Sequence, residues 1–137
     1  MRIFLDTNVL LDFVQDGRRN NEIAKLLFDL MDKQHQEPYV TTQSILDMIY
    51  IGAKINRTKT MVFVQYMLNH YNVRHIDCFS LKIALESGHP DLEDSAQLAC
   101  AEEEECDIFL TTDAGILARD IDYMLVMTPS QFIDRMR

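Results

Sequence analysis

The chain has 137 residues, 47% of them hydrophobic, enough for one sizeable core with little left for a second, so a single domain over residues 1–137 is expected. Its 13 basic and 22 acidic side chains give a formal charge of −9, which repels a polyanion at long range and lowers, without excluding, the prospect of nucleic-acid chemistry, since a bound cation inverts the potential around clustered carboxylates. The cysteines Cys78, Cys100 and Cys106 form no CxxC pair, no apolar run approaches the roughly 20 residues that span a bilayer, and Ile3 to Leu5 is too short for the core of a signal peptide; a reducing, cytoplasmic setting away from membranes is expected.

In chain order, Met1 to Leu5 is apolar and ends abruptly in Asp6, Thr7 and Asn8 before a second apolar patch from Val9 to Val14. The pattern predicts strand, polar turn, helix. After a loop at Gly17 to Asn21, Ile23, Leu26, Leu27, Leu30 and Met31 recur at helical spacing and predict a helix buried on one face. Pro38 opens a second strand, Tyr39 to Thr41, and Ile45, Met48, Ile49 and Ala53 mark the next helical face, with Thr42 as its expected cap and Ser44 as the competitor. Asn56 and Thr58 interrupt this pattern, and a further helix is expected from near Thr58 through Val62, Phe63, Tyr66 and Met67. Val73 to Ile76 reads as strand three and Leu81 to Leu85 as helix, and Gly88, His89 and Pro90 form a punctuated loop before Asp91. Leu92 to Glu102 is again helical, Ile108 to Leu110 a fourth strand, Tyr123 to Met127 a fifth, and Pro129 opens a terminal helix. Short apolar strands alternating with helices predict an α/β fold, a three-layer αβα sandwich with helices on both faces of a largely parallel sheet.

The chemistry concentrates in aspartates. Asp6 directly follows strand one and Asp113 follows strand four after Thr111 and Thr112, so both are expected at the carboxyl edge where open α/β sheets bind ligands. Asp47 lies about one turn into the helix after strand two, and Asp91 and Asp94, three apart, share one face at the start of another helix. Each alone has a plainer explanation as a turn or capping residue, with Asp91 and Asp94 as a capping pair. Arrival at equivalent strand ends favours a shared site, and a cluster of like charges calls for a neutralising hard cation. Oxygen donors without a Cys/His set point to Mg²⁺ or Mn²⁺ and away from zinc.

These residues resemble a known family, the PIN domain, and within it the VapC-like toxins of prokaryotic toxin–antitoxin pairs. The opening RIFLDTNVLLDF resembles the first family motif, with Asp6 as its acid and Thr7 and Asn8 as polar companions. The stretch HPDLEDSAQLACAEEEECDIFLTTD resembles the longest motif, with Asp94 as central acid, Asp91 as accessory acid and Asp113 as the last. The resemblance runs over nearly the whole chain. It departs where the family usually has Glu and this chain has Asp47, a shorter side chain suited to reaching a cation through water. The segment TTDAGI also lacks the basic residue that many relatives carry before the acid. The resemblance implies a central sheet of four or five parallel strands, frequent homodimerisation, and a small antitoxin partner.

It further implies metal-dependent hydrolysis of an RNA phosphodiester, with Asp6, Asp94 and Asp113 holding Mg²⁺ or Mn²⁺ and Asp47 and Asp91 in direct or outer support. Thr7, Asn8 and Thr111 are suited to orienting these groups, or simply to capping their turns. Lys54, Arg57 and Lys59 form the densest basic patch and, with Arg18 and Arg19, are the candidate phosphate contacts, against the plainer reading of a solvated turn. Tyr50 and Tyr66 read as core edges. The main alternative is a regulatory or scaffold protein that keeps the PIN fold and cleaves nothing. A structure-specific DNA nuclease would want an additional arch or domain. An aspartyl-phosphate phosphatase would want a second Asp where Asn8 stands, and a receiver domain would want a lysine after strand five. No GxGxxG or GxxxxGK[ST] sequence supports a nucleotide fold.

Overall fold

Strand β1 (Arg2–Leu5) is buried on both faces because its side chains alternate between two apolar layers. Ile3 and Leu5 enter one core, and Phe4 enters the other. The computed structural model describes all residues, Met1–Arg137, and the chain continues through α1 (Thr7–Val14), α2 (Asn21–Lys33), β2 (Glu37–Thr41), α3 (Thr42–His70) and β3 (Asn72–Arg74). It then runs through α4 (Cys78–Glu86), α5 (Leu92–Glu103), β4 (Ile108–Leu110), α6 (Ala114–Leu117), β5 (Leu125–Met127) and α7 (Pro129–Met136).

All five strands are parallel, in the order β3-β2-β1-β4-β5. The α/β sandwich with a central parallel sheet expected from the sequence is therefore present. The larger core joins one sheet face, through Ile3, Leu5, Val40, Ile108 and Leu110, to apolar residues of α1, α2, α3 and α7. The smaller joins the other face, through Phe4, Tyr39 and Phe109, to Leu98, Cys100 and Ala101 of α5 and Ile116 of α6. Phe4 and Phe109 stack at 5.1 Å between ring centroids across the β1–β4 pair.

The successive strands β1, β2 and β3 step outward in one direction, and the chain then crosses back over β1 to place β4 on its far side. That reversal opens a crevice between the carboxyl ends of β1 and β4, the place where ligands enter sheets of this kind.

Several local expectations are corrected. The α3 cap is Thr41, not Thr42: Thr41 is extended, at φ −101° and ψ 152°, and its side chain accepts the Ser44 backbone N–H at 3.0 Å, so strand passes to helix with no intervening loop. The interruption expected at Asn56 and Thr58 is present: α3 is two helices that meet at a kink, the second starting where the sequence pattern placed it. The bend falls at Asn56 (φ −147°, ψ 91°), whose carbonyl side chain accepts the Lys59 N–H at 3.0 Å and so restarts the helix in place. Strand three ends at Arg74 rather than Ile76, because Asp77 accepts the Ser80 N–H at 2.9 Å and the intervening residues form the approach to α4. Strand five begins at Leu125 rather than Tyr123. The single-turn α6 was not foreseen; Asp113 caps it through the Gly115 N–H at 3.1 Å.

Candidate active site

Asp6 ends β1, and its backbone N–H donates to the Leu110 carbonyl at 3.0 Å, which ties the first acidic turn to the end of β4. One carboxylate oxygen accepts the Thr7 N–H at 2.9 Å, and the other accepts the Thr111 hydroxyl at 2.8 Å. Thr111 also accepts the Asp113 N–H at 3.0 Å. This buried threonine therefore orients both acids that follow the two central strands, and Asp6 and Asp113 stand on the same sheet edge.

Asp6 is only 6% exposed. Burial pushes its carboxyl above the ordinary range; the hydrogen bonds from Thr111 and Thr7 oppose that rise, and the charges of Asp113 and Asp91 add to it. Asp91 caps α5 by accepting the Asp94 N–H at 3.0 Å, and this bond is the main reason its carboxyl lies below the ordinary range. Asp94, in the first turn of α5, is pushed up to about 7, first by partial burial and then by Asp91 and Asp113 beside it. A capping pair and a charge cluster are thus the same residues, since the cap places Asp94 where Asp113 and Asp91 repel its ionised form.

The sequence reading missed Glu93. Its carboxyl is raised by loss of water, then by Asp47 next to it, and further by Asp91 and Asp6. The spacing of Asp91 and Asp94 on one helical face gives no sign of it, since Glu93 reads as an ordinary acid in the first turn of a helix. Asp47 is half-buried in α3 and accepts a hydrogen bond from Gln43 at 3.2 Å. Asp91 and Asp113 thus stand close enough to raise the carboxyls of both Asp6 and Asp94, and Asp47, Asp91 and Asp6 act together on Glu93.

Beneath the acids lies a buried polar web that the sequence did not disclose. Ser44 Oγ is 2.7 Å from the Thr7 hydroxyl, accepts Gln97 Nε2 at 2.8 Å, and meets the Thr41 hydroxyl at 3.1 Å. It joins the N-terminal halves of α1, α3 and α5, beside which Asp6, Asp47 and Asp94 stand. Each member is satisfied, so the web fixes the helices without leaving a stranded polar group. Gln97 offers no motif; only its position one turn after Asp94 and next to the apolar run Leu98 to Ala101 could mark it.

The remaining candidates are placed less centrally. Asn8 is half-buried at the first turn of α1 and makes no side-chain hydrogen bond. Lys59 binds Asp16 at 2.7 Å and Arg18 binds Asp12 at 2.7 Å. Lys54 lies 4.0 Å over the Tyr50 ring, and Arg57 is exposed. Tyr50 is 70% exposed and is not the core-edge residue expected; Tyr66 is 41% exposed and packs on Tyr71 and His70.

The donor set is made of carboxylates alone, with those of Asp6, Glu93 and Asp94 raised first by burial and then by neighbouring acids, and this chemistry suits a hard divalent cation. No three His, Cys, Asp or Glu side chains stand gathered tightly enough to ligate one ion as they are placed. The acids fit such an ion in kind and neighbourhood, and would draw inward to hold it.

The PIN domain family profile matches residues 2–115. The chain belongs to the PIN domain family. Among curated PIN relatives, Ribonuclease VapC1 of Aquifex aeolicus is 22% identical, over 98% of this chain and 94% of its own length. A solved structure of Mycobacterium tuberculosis VapC20, described as a sarcin-ricin loop cleaving toxin, has 13% identity and a TM-score of 0.73, covering 90% of this chain and 98% of that one. A toxin–antitoxin complex from Klebsiella pneumoniae gives 21% identity and a TM-score of 0.67, covering 93% and 97%. The PIN fold thus extends over nearly the whole chain, and no helix in it is long and apolar enough to cross a membrane.

Proposed function

We propose that this PIN protein is a metal-dependent endoribonuclease, hydrolysing RNA phosphodiester bonds as the toxin of a toxin–antitoxin pair. The observation that carries the reading is the carboxylate group at the β1–β4 crevice, in which Asp94 is pushed up to about 7 by burial and by Asp91 and Asp113. Curated similarity to a ribonuclease named VapC1 supports the reaction class, and likeness in fold to a toxin of a toxin–antitoxin complex supports the biological setting. In this reading residues 1–137 work as one domain, in the cytoplasm, and a small antitoxin with a basic or amphipathic segment covers the acidic cleft. A homo-oligomer is part of the same proposal.

Asp6, Asp94 and Asp113 would hold Mg²⁺ or Mn²⁺, with Asp91, Asp47 and Glu93 as direct or outer support. Such an ion supplies Lewis-acid polarisation of the phosphodiester and a water nucleophile competent at neutral pH. The protein's part is to orient. Thr111 aims the Asp6 and Asp113 turns, Thr7 supports Asp6 through its N–H, and Asn8 presents a neutral amide at the same edge. The apolar layers above and below β1 and β4 hold these turns stiff. Lys54 and Arg57 remain the weak candidates for phosphate contact, while Lys59 is engaged by Asp16.

The test is purified protein on a mixed cellular RNA pool, with Mn²⁺, with Mg²⁺ and with EDTA. Cleavage only with a divalent cation supports the proposal, and cleavage undiminished by EDTA overturns its metal dependence. The second reading, a PIN-fold regulator without nuclease activity, is favoured by the shorter Asp47 where the family usually has Glu and by the −9 charge, which repels RNA. Cation binding without cleavage of any RNA would establish it.

Two expectations follow for the acids. Asp47→Asn reduces turnover by about ten- to a hundredfold, the effect typical of a group that supports a ligand from outside, because the amide keeps the shape and loses the charge; single-turnover kinetics measure it, and a complete loss would place Asp47 directly on the ion. For pH, Asp94 holds a proton up to about 7 against an ordinary value of 3.8. Protons therefore compete with the cation below about 7, and Mn²⁺ affinity by calorimetry weakens as pH falls from 8 to 6. In the cation-free protein the sign for stability is the reverse: between 3.8 and about 7 the folded carboxyl is protonated while the unfolded one is ionised, so the contribution of Asp94 to stability declines as pH rises through this window.

A further inference from the structure

Asp91 and Asp94 lie at the start of α5, whereas Asp113 lies after β4, and the two segments are brought together from about 20 residues apart in the chain. Beside the Asp94 and Asp113 carboxyls, which face each other across residues 87–95 and 111–119, the side-chain bridge of opposite charge between the two segments is Arg119. Arg119 sits two positions beyond α6, the turn capped by Asp113, and its N–H donates to the Ile116 carbonyl at 3.0 Å, so its backbone moves with the Asp113 turn. From there its guanidinium reaches the other segment. Nη1 donates to Ser95 Oγ at 2.9 Å, and Nη2 meets His89 Nδ1 at 2.8 Å and the Asp91 carbonyl at 3.4 Å.

We propose that Arg119 is a positioning residue that clamps the His89–Asp94 turn onto the Asp113 turn and so sets the spacing of the acidic groups; this rests on the cation-dependent reading above. His89 is part of the clamp. Its Nδ1 also accepts the Asp91 N–H at 3.2 Å, so one ring nitrogen faces both the Arg119 guanidinium and the residue that caps α5. The turn is braced further by the His89 N–H to Ser87 Oγ at 3.3 Å and by Ser87 Oγ lying 3.5 Å from Ser95 Oγ. A planar fork of fixed donors suits two acceptors on one segment, which a single ammonium does not match. Arg119 Nε is buried without a partner, so the head group's place is set by its Nη contacts to this turn and not by full satisfaction of its own donors.

The test compares wild type, Arg119→Ala and Arg119→Lys by amide hydrogen exchange without metal, Mn²⁺ calorimetry, and RNA kinetics. In Arg119→Ala, exchange across residues 88–95 accelerates by about tenfold or more while the strands are unchanged, Mn²⁺ affinity falls by about ten- to a hundredfold, and kcat falls with KM for RNA unaltered. Arg119→Lys keeps the charge but lacks the fork, and behaves like Arg119→Ala. Unchanged exchange across residues 88–95 overturns the clamp. Full recovery in Arg119→Lys would show that charge alone matters, and a raised KM with normal kcat would show that Arg119 touches RNA; either overturns the positioning role. Wild type that binds no Mn²⁺ would sink the catalytic reading, and with it the role of the clamp in spacing ligands, while the exchange comparison still reports separately whether Arg119 holds the turn.

Discussion

Asp6→Asn and Asp94→Asn each lower RNA cleavage by about 10³-fold, the scale on which loss of one well-placed charge-stabilising group reduces turnover. Both substitutions keep the side-chain shape and remove the negative charge that draws a cation into the crevice. Neither should unfold the protein. In Asp6→Asn the amide oxygen can still accept the Thr7 N–H, and the amide nitrogen can face the Thr111 hydroxyl, which presents an oxygen as well as a proton. In Asp94→Asn the backbone N–H that Asp91 caps is untouched. Because burial raises the Asp6 carboxyl, and burial with Asp91 and Asp113 raises that of Asp94, the ionised forms are disfavoured in the cation-free protein. Replacing either by a neutral amide removes that cost at pH 8, so the thermal midpoint without metal stays level or rises. Activity loss combined with undiminished stability identifies a ligand; activity loss accompanied by a lower midpoint would mean that the acid served the fold. Retained cleavage in both variants would remove these carboxylates from the mechanism.

Phe109→Ala is expected to have the largest effect on stability, a loss of about 3–5 kcal/mol, because it removes a fully buried ring and leaves a cavity that its neighbours cannot collapse into. Phe109 has no exposure, stacks on Phe4, and is the central residue of the shortest run that carries a site turn, β4. Against a typical total stability of about 5–15 kcal/mol, such a loss leaves the protein marginal. Urea unfolding measures it, with Leu85→Ala as the exposed control, since Leu85 is 64% exposed and should change stability by less than about 0.5 kcal/mol. The consequence reaches the site, because the residue after β4 is Thr111, whose hydroxyl holds Asp6. A loss below about 1 kcal/mol would show that the smaller core contributes little to holding the β1–β4 pair.

The parallel α/β architecture was legible in the chain itself. Strands such as Ile3 to Leu5 and Ile108 to Leu110 are apolar at every position, which is what a strand buried on both faces requires, and the intervening stretches repeat their apolar residues at helical spacing. The positions of Asp6 and Asp113 at strand ends were legible for the same reason: a polar residue that abruptly ends an apolar strand marks its edge. Boundaries were less legible where a polar side chain acts on the backbone next to it. Thr41 ends a strand and caps a helix at once, so local propensity alone does not separate these roles, whereas the break at Asn56, where a polar residue interrupts the apolar repeat, was legible.

Only the tertiary structure decided which acids share an environment and what holds them there. Glu93 joins Asp47 because α3 and α5 approach each other, a distance that no spacing within either helix encodes. The web of Thr7, Thr41, Ser44 and Gln97 draws its members from three parts of the chain, and each residue looks ordinary alone. Arg119 likewise stands outside every motif, yet its guanidinium is the bridge between the Asp91 and Asp113 turns. The physical reason is one of range: periodicity and capping are set by neighbours within a few residues, whereas a carboxylate's charge state and orientation depend on groups that only the crossover from β3 to β4 brings alongside β1.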